Sequence, residues 1–221
     1  MNLMEQDKSY SVCTMAAKEP GLRLFWKGAE EEPYRSFTRL TSQLDKKGEK
    51  LVFGMNAGMY HEDASPVGLY VEDGEEMKAA NTKNGPGNFH MKPNGVFYFG
   101  PDGAGVMETA RFVKSHPKHR FATQSGPMLV IGGSIHPKIK DTGFSEKTRN
   151  GVGIDAKGRI VFVISNQAVT FSAFAHLFKD RLLCNDALFL DGSISSLYAP
   201  SINRTDLWLP LGPIVGVVAK K

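Results

Sequence analysis

A carboxylate, a guanidinium and two imidazoles stand where this sequence could do chemistry. Asp191 ends a short apolar run, Ala187 to Leu190, and is followed by Gly192, Ser193, Ser195 and Ser196. Such a run suits a strand buried on both faces, and a carboxylate carried to its end is costly unless something pairs with it. Plain turn chemistry is the competing reading, because Asp-Gly is a common turn dipeptide. Arg149, beside Asn150 and Gly151, supplies a planar fork able to hold phosphate by two points. His61 and His90 each lie in a Gly- and Asn-rich loop after a strand end, where binding residues concentrate. His116, His119 and His176 fall in Lys- and Pro-flanked or polar-face settings and read as solvated surface.

Further clusters share this character. They are Asn56-Ala57-Gly58, then Asn88-Phe89-His90 with Pro93-Asn94-Gly95, and Thr123-Gln124-Ser125-Gly126-Pro127. Glycine lets backbone N–H groups approach a ligand closely, while Asn, Gln and Ser offer neutral donors and acceptors matched to hydroxyl-rich molecules. Any single cluster reads as a tight turn. Together with Arg149 and Asp191 they predict one polar hollow.

The elements that must position these residues are short. Tyr10 to Ala17 and Leu22 to Trp26 read as an opening hairpin around Glu19-Pro20-Gly21. Ser36 caps a helix with Phe37, Leu40 and Leu44 on one face, ended by Gly48. Leu51 to Gly54 is a strand, and Val67 to Val71 with Met77 to Ala80 form a hairpin on Asp73-Gly74. Asn81 to Gly103 is loop-rich with one strand, Val96 to Phe99. Strands follow at Phe121 to Ser125 and Met128 to Ile131, and Gly132-Gly133 turns the chain toward His136. Gly151 to Ile154 and Arg159 to Ser165 form another hairpin. Thr170 caps a second helix that carries Phe171, Phe174, Ala175, Phe178 and Leu182, and Ile214 to Ala219 is the last strand. This is an α+β pattern: one domain over residues 1–221, with a strongly curved, mainly antiparallel or mixed sheet packed on two or so helices.

Composition bounds the function. The chain has 221 residues, 41% of them hydrophobic, and a formal net charge of +4, with acidic residues interleaved among the basic ones. No basic stripe points to nucleic acid, and no apolar run approaches a membrane span. The sequence lacks GxSxG, GxxxxGK[ST], GxGxxG after a strand and HExxH. Cys13 and Cys184, the two cysteines, sit in no metal spacing; a single disulfide and two buried thiols are equally plausible. The start, MNLMEQDKSY, has no signal-peptide core, so the chain reads as cytoplasmic or as an exported domain without its leader.

The motifs MNAGMY, SPVGLYVEDG, GNFHMKPNGVF, ATQSGPMLV, RNGVG and LFLDGSISSLY, in this order from about Leu51 to Val218, resemble the phosphodiester glycosidase family, its bacterial branch in particular. The resemblance implies hydrolysis of a sugar 1-phosphodiester to a sugar and a phosphomonoester, and it implies a periplasmic or otherwise exported protein; the residue set itself leads us to expect no cofactor or metal. It also implies pocket roles for Asn56, Gly58, Ser125, Gly126, Arg149, Asn150, Asp191, Gly192, Ser195 and Ser196. The family often has a richer glycine turn where this chain has Ser193 and Ile194, so Ile194 is expected to narrow the space beside the carboxylate.

That chemistry suits the residues themselves. A departing phosphomonoester accumulates charge that a fixed cation must meet, which is the role expected of Arg149. The anomeric carbon passes through an oxocarbenium-like state that a carboxylate stabilises, attacks or supplies with water, the role expected of Asp191. His90 or His61 would position water or donate to the bridging oxygen, and Asn56, Gln124 and Asn150 would grip sugar hydroxyls. A non-catalytic binding module for sugar or glycan phosphates would use the same amides and Arg149. A metal-dependent phosphodiesterase with Asp191 and His90 as ligands is a further alternative that lacks additional carboxylates.

Overall fold

Strand-length apolar runs punctuated by Gly, Pro and Asp become, in the computed structural model, a molecule built mainly of short strands; residues 1–192, 194–207 and 210–221 are described. The first elements are β1 (Asn2–Glu5), β2 (Lys8–Met15), β3 (Leu22–Phe25), α1 (Phe37–Lys46), β4 (Glu49–Asn56), β5 (Tyr70–Glu72) and β6 (Glu75–Lys78). There follow β7 (Gly95–Gly100), β8 (Gly103–Glu108), α2 (Thr109–Ser115), β9 (Phe121–Ser125), β10 (Met128–Ile131) and β11 (Ser134–Ile135). The last are β12 (Asn150–Asp155), β13 (Ile160–Ser165), α3 (Phe171–His176), β14 (Cys184–Asp191), β15 (Leu197–Ala199), β16 (Arg204–Thr205) and β17 (Ile214–Lys220), and a π-helical turn over Leu177–Arg181 continues α3.

The α+β, antiparallel expectation holds, and the curvature takes the form of three sheets. Sheet one runs β1-β2-β13-β12-β14-β10-β11, sheet two β16-β15-β4-β17-β3, and sheet three β6-β5-β9-β7-β8. Their inner faces meet in one core, where Leu24 and Met55 of sheet two, Phe97 and Phe99 of sheet three, and Phe162 and Leu188 of sheet one touch the same cluster. A helix covers each outer face. On sheet one, α3 lays Phe174 on Tyr10 and Val163; on sheet two, α1 lays Phe37, Leu40 and Leu44 on Leu51 and Ile214; on sheet three, Phe112 of α2 covers Val96 and Ala122. Strands covered on both sides have no polar face, which is why β13 is buried at every position.

Local turn chemistry came through as expected. Ser36 and Thr170 accept hydrogen bonds from Arg39 N–H and Ala173 N–H and so cap α1 and α3. Asp73 and Gly74, both at positive φ, close the β5–β6 hairpin, and Gly132 and Gly133 close β10–β11 in the same way. The opening hairpin is a correction. β2 pairs with β1 and β13 while β3 pairs with β17, so Glu19-Pro20-Gly21 carries the chain from sheet one to sheet two. Gly126-Pro127 likewise carries the chain from β9 in sheet three to β10 in sheet one. The loop-rich reading of residues 81–103 stops short: β7 and β8 pair along their length, and α2 follows them directly. Cys13 and Cys184 are free thiols, not a disulfide: Cys13 packs on the inner core, and Cys184 belongs to the cluster under α3. Among the described residues, no helix is long and apolar enough to cross a membrane.

Candidate active site

Sheets one and two meet where β14 and β4 end and β12 begins, and that seam holds several of the polar residues singled out above. Asp191 closes β14 and pairs in register with Asn150, the first residue of β12. Its backbone N–H donates to Asn150 Oδ1 at 2.8 Å. Asn150 Nδ2 donates across to sheet two, reaching both the carbonyl and Oδ1 of Asn56 at 2.9 Å. Asn56 Oδ1 also accepts the Ser196 N–H at 3.0 Å, which binds the segment after Asp191 into the same network. Asn56 and Asn150 are both fully buried. Buried amides of this kind are retained when nearly all their bonds are made.

Asn56 Nδ2 is the exception, since it is buried and has no hydrogen-bond partner among the described residues. The Asp191 carboxyl lies near enough for the Asn56 amide to act on its titration. Part of Asp191 reaches solvent, yet its carboxyl is closely surrounded by protein, and the second fact governs its titration. Loss of solvation raises the pKa from its ordinary 3.8 to about 6, while the Gly192 N–H and the Asn56 amide hold it from rising further. Asp191 is therefore an ionised carboxylate at neutral pH, but one that takes up a proton easily.

Other predicted residues shape this corner. Ser125 Oγ donates to the carbonyl of Leu190 at 2.8 Å and so props β14 just ahead of Asp191. Gly126 lets the backbone of Phe89 and the side chain of Asn94 come close, where a Cβ would stand 2.8 Å from Phe89 O. Gly58 passes under Thr123, whose Oγ1 would lie 3.1 Å from a Cβ there. Ser195 Oγ donates to Gly192 O at 2.7 Å and pins the turn that follows Asp191. Ser193 lies outside the described residues. Ile194 packs with Tyr34 and Tyr198 against the cluster under α1, which takes its bulk into that layer.

The remaining candidates stand differently from the expectation. Gln124 has its hydrogen-bonding groups engaged: Oε1 accepts from Leu69 N–H and Asn81 N–H, and Nε2 donates to Asn81 O and Thr109 Oγ1. It is a strut, not a sugar-facing amide. His90 Nδ1 lies 3.1 Å from Lys83 O under the preceding loop, and His61 is exposed beside Asp63. Neither belongs to the hydrogen-bonded network around Asp191. Among the described residues, no group of three or more His, Cys, Asp or Glu side chains is placed to hold a metal ion.

Arg149, on the chain beside Asn150, is 1% exposed. Its Nε donates to Val169 O at 2.9 Å and its Nη2 to Ser145 O at 2.7 Å. The guanidinium carbon stacks 3.6 Å from the Phe171 ring centroid and 5.5 Å from that of Phe189. Among the described residues no carboxylate forms an ion pair with it, Asp191 included. Burial alone lowers its pKa, to about 10, so the charge persists at neutral pH without a counter-ion. Two carbonyls and a ring face offset only part of the lost hydration, and the deficit favours an anion arriving from outside.

Tyr60 was not anticipated. It is half-buried, its hydroxyl donates to Pro210 O at 2.6 Å, and burial together with the nearby Asp191 charge pushes its pKa to about 12, with Arg35 opposing. It remains a phenol at any physiological pH. The motif MNAGMY already contained it, three residues beyond Ala57, but nothing in the spacing shows that the loop folds back toward Asp191.

The family described as phosphodiester glycosidase matches residues 49–214. An Escherichia coli (strain K12) protein described as uncharacterized protein YigE is 39% identical over 177 residues, which span 80% of this chain and 69% of that one. The solved catalytic domain of zebrafish N-acetylglucosamine-1-phosphodiester alpha-N-acetylglucosaminidase, auto-inhibited by its pro-peptide, is similar in fold, with a TM-score of 0.69 and 13% identity over 98% of this chain and 80% of that one. A hypothetical protein from Synechocystis shares the fold at a TM-score of 0.60 and 15% identity, over 99% of this chain and 61% of that one.

Proposed function

This chain belongs to the phosphodiester glycosidase family, and from that premise we propose that it hydrolyses the glycosidic bond of a sugar 1-phosphodiester, releasing the sugar and a phosphomonoester. The observation that carries the reading is a pair of charges at one strand end. A carboxylate with a raised pKa closes β14, and the strand paired with it is preceded by a buried guanidinium that has no carboxylate partner among the described residues.

In this reading the ionised Asp191 accepts a proton from a water molecule as that water attacks the anomeric carbon. The new carbon–oxygen bond forms as the bond from that carbon to the bridging oxygen breaks. The electron pair of the broken bond leaves on the phosphomonoester, whose growing charge Arg149 meets. A phosphomonoester needs little protonation to depart, so a second acid is not required. Asn150 holds the Asp191 main chain, and Asn56 anchors both Asn150 and the Ser196 main chain, so the two amides act as positioning residues. His61 and His90 stay outside the mechanism, because their rings face solvent and the Lys83 carbonyl. Fold similarity to an enzyme named for N-acetylglucosamine-1-phosphodiesters fits the same substrate class.

The test is turnover of an N-acetylglucosamine 1-phosphodiester by the intact chain and two variants. Asp191→Asn and Arg149→Ala are each expected to lower kcat/KM by about a hundredfold or more, the size typical for a lost acid–base or charge-stabilising group. Binding without product would leave a sugar-phosphate binding module in place of the enzyme, and near-normal turnover in both variants would remove Asp191 and Arg149 from the catalytic role.

A further inference from the structure

Two neighbours of Arg149 lead to a second space. Ser145, whose carbonyl it binds, and Phe171, on which it stacks, also line a cavity of about 400 Å³, which therefore adjoins the guanidinium through these two residues although Arg149 is not itself part of the wall. Three segments distant in sequence form that cavity: Asn88 and Met91 of the GNFHMKPNG motif, the 138–145 segment, and the first residues of α3. Two facts set its chemistry.

The first is charge. A guanidinium carries five N–H donors, and among the described residues protein carbonyls take one from Nε and one from Nη2. Nη1 has no protein acceptor there, yet it is not among the polar atoms sealed away from solvent without a partner. Lys138 and Lys140 line the same cavity, and among the described residues neither forms an ion pair. Asp141 follows Lys140 in sequence, and its carboxylate is already bound by the Ser172 Oγ and faced by His176. The second fact is the apolar share of the wall, from Met91, Ile139 and the Phe171 ring. An aqueous anion alone would have no use for that surface.

We infer that this cavity receives the leaving half of the substrate, and that this half carries an anionic group of its own on a short carbon chain. The inference rests on the glycosidase reading above for its placement: the phosphate lies on Arg149, the sugar on the Asp191 side, and the group esterified to the phosphate extends between Lys138 and Lys140. The volume is near the small end of ordinary ligand pockets, which suits a short charged ester and not a second sugar with a lipid or a nucleoside. The GNFHMKPNG motif thereby acquires a role through Asn88 and Met91 that its histidine does not supply.

Two phosphomonoesters of nearly equal size test this directly: phosphoglycolate, with a terminal carboxylate, and ethyl phosphate, without one. Calorimetric titration of the intact chain is expected to show phosphoglycolate binding about tenfold more tightly, as two partly exposed cation–anion pairs provide. The preference is expected to vanish in a Lys138→Ala, Lys140→Ala double variant and to persist in Asp191→Asn. Equal binding of the two esters, no binding of phosphoglycolate at millimolar concentration, or a preference that survives loss of both lysines would overturn the inference. If the double variant fails to fold, a single Lys140→Glu exchange at this exposed position gives the same reading by reversing the preference. Hydrolysis of the corresponding sugar phosphodiesters separates the two claims. Lysine-dependent binding without hydrolysis keeps the cavity and removes the glycosidase; hydrolysis indifferent to the ester's charge does the opposite.

Discussion

Asp191 and Arg149 are each left short of solvation, and the two deficits have opposite consequences for acid–base behaviour. For Asp191, the pKa of about 6 means that kcat/KM is expected to rise with pH and level off above that value, because the reaction needs the ionised form. A pH–rate profile measures this, and a flat profile from pH 5 to 8 would contradict the assigned role. The same shift has a stability cost. The native carboxyl holds its proton more tightly than the unfolded one, whose ordinary value is 3.8, so stability falls as pH rises from about 4 to about 6 and is level beyond. Asp191→Asn removes that cost and is expected to raise stability at pH 7 by up to about 3 kcal/mol, with the gain gone near pH 4, as read from urea midpoints. One exchange that disables the enzyme while stabilising the fold is the signature of a residue kept for chemistry. At this scale the sequence was legible by residue type: Asp191, Asn56 and Asn150 were identified as a carboxylate and amides at strand ends. Tyr60 and the engaged amide of Gln124 were not, because which partner satisfies a side chain depends on loops far away in sequence.

At the scale of elements, β12 and α3 carry the placement of Arg149. Gly151 and Gly153 face α3, and a Cβ on Gly153 would stand 2.9 Å from the Phe178 ring and 2.8 Å from Cys184 Sγ. The glycines thus let the helix lie directly on the strand, and its first residue, Phe171, reaches under the guanidinium. Gly153→Val would favour a strand by propensity alone. Overpacking decides the matter: the variant is expected to lose about 2 to 3 kcal/mol in chemical denaturation, and a gain would show that α3 can shift away at little cost. Hairpins closed by Asp-Gly and Gly-Gly were readable because their geometry is local. The crossings at Glu19-Pro20-Gly21 and Gly126-Pro127 were not, since both pairs of flanking strands are apolar enough to belong to any of the sheets. Glycine-rich β8 and the short α2 lacked a periodic signal altogether.

For the whole molecule, Asn150 is the tie between two sheets: its amide spans to Asn56 while its oxygen holds the Asp191 main chain. Asn150→Ala strands those buried partners and is expected to cost about 2 to 4 kcal/mol and to lower turnover together with stability, measured on one preparation by denaturation and by kinetics. Stability lost with turnover unchanged would place the seam outside the working site. The three-sheet arrangement itself was beyond sequence reasoning, which saw apolar strands and correctly inferred antiparallel α+β packing, but could not count the faces around a shared core.

One consequence of that layout concerns descent with change. Asp191 and Arg149 sit on or beside strands whose interiors are sealed in the core, so their spacing resists drift. Lys138 and Lys140 sit on a surface segment that contributes little to the core and can be exchanged piecemeal. If Asp191 and Arg149 do the work proposed for them, lineages that keep the pair unaltered can retailor what they accept by rewriting about eight residues of loop, and diversity of diet should be sought there first.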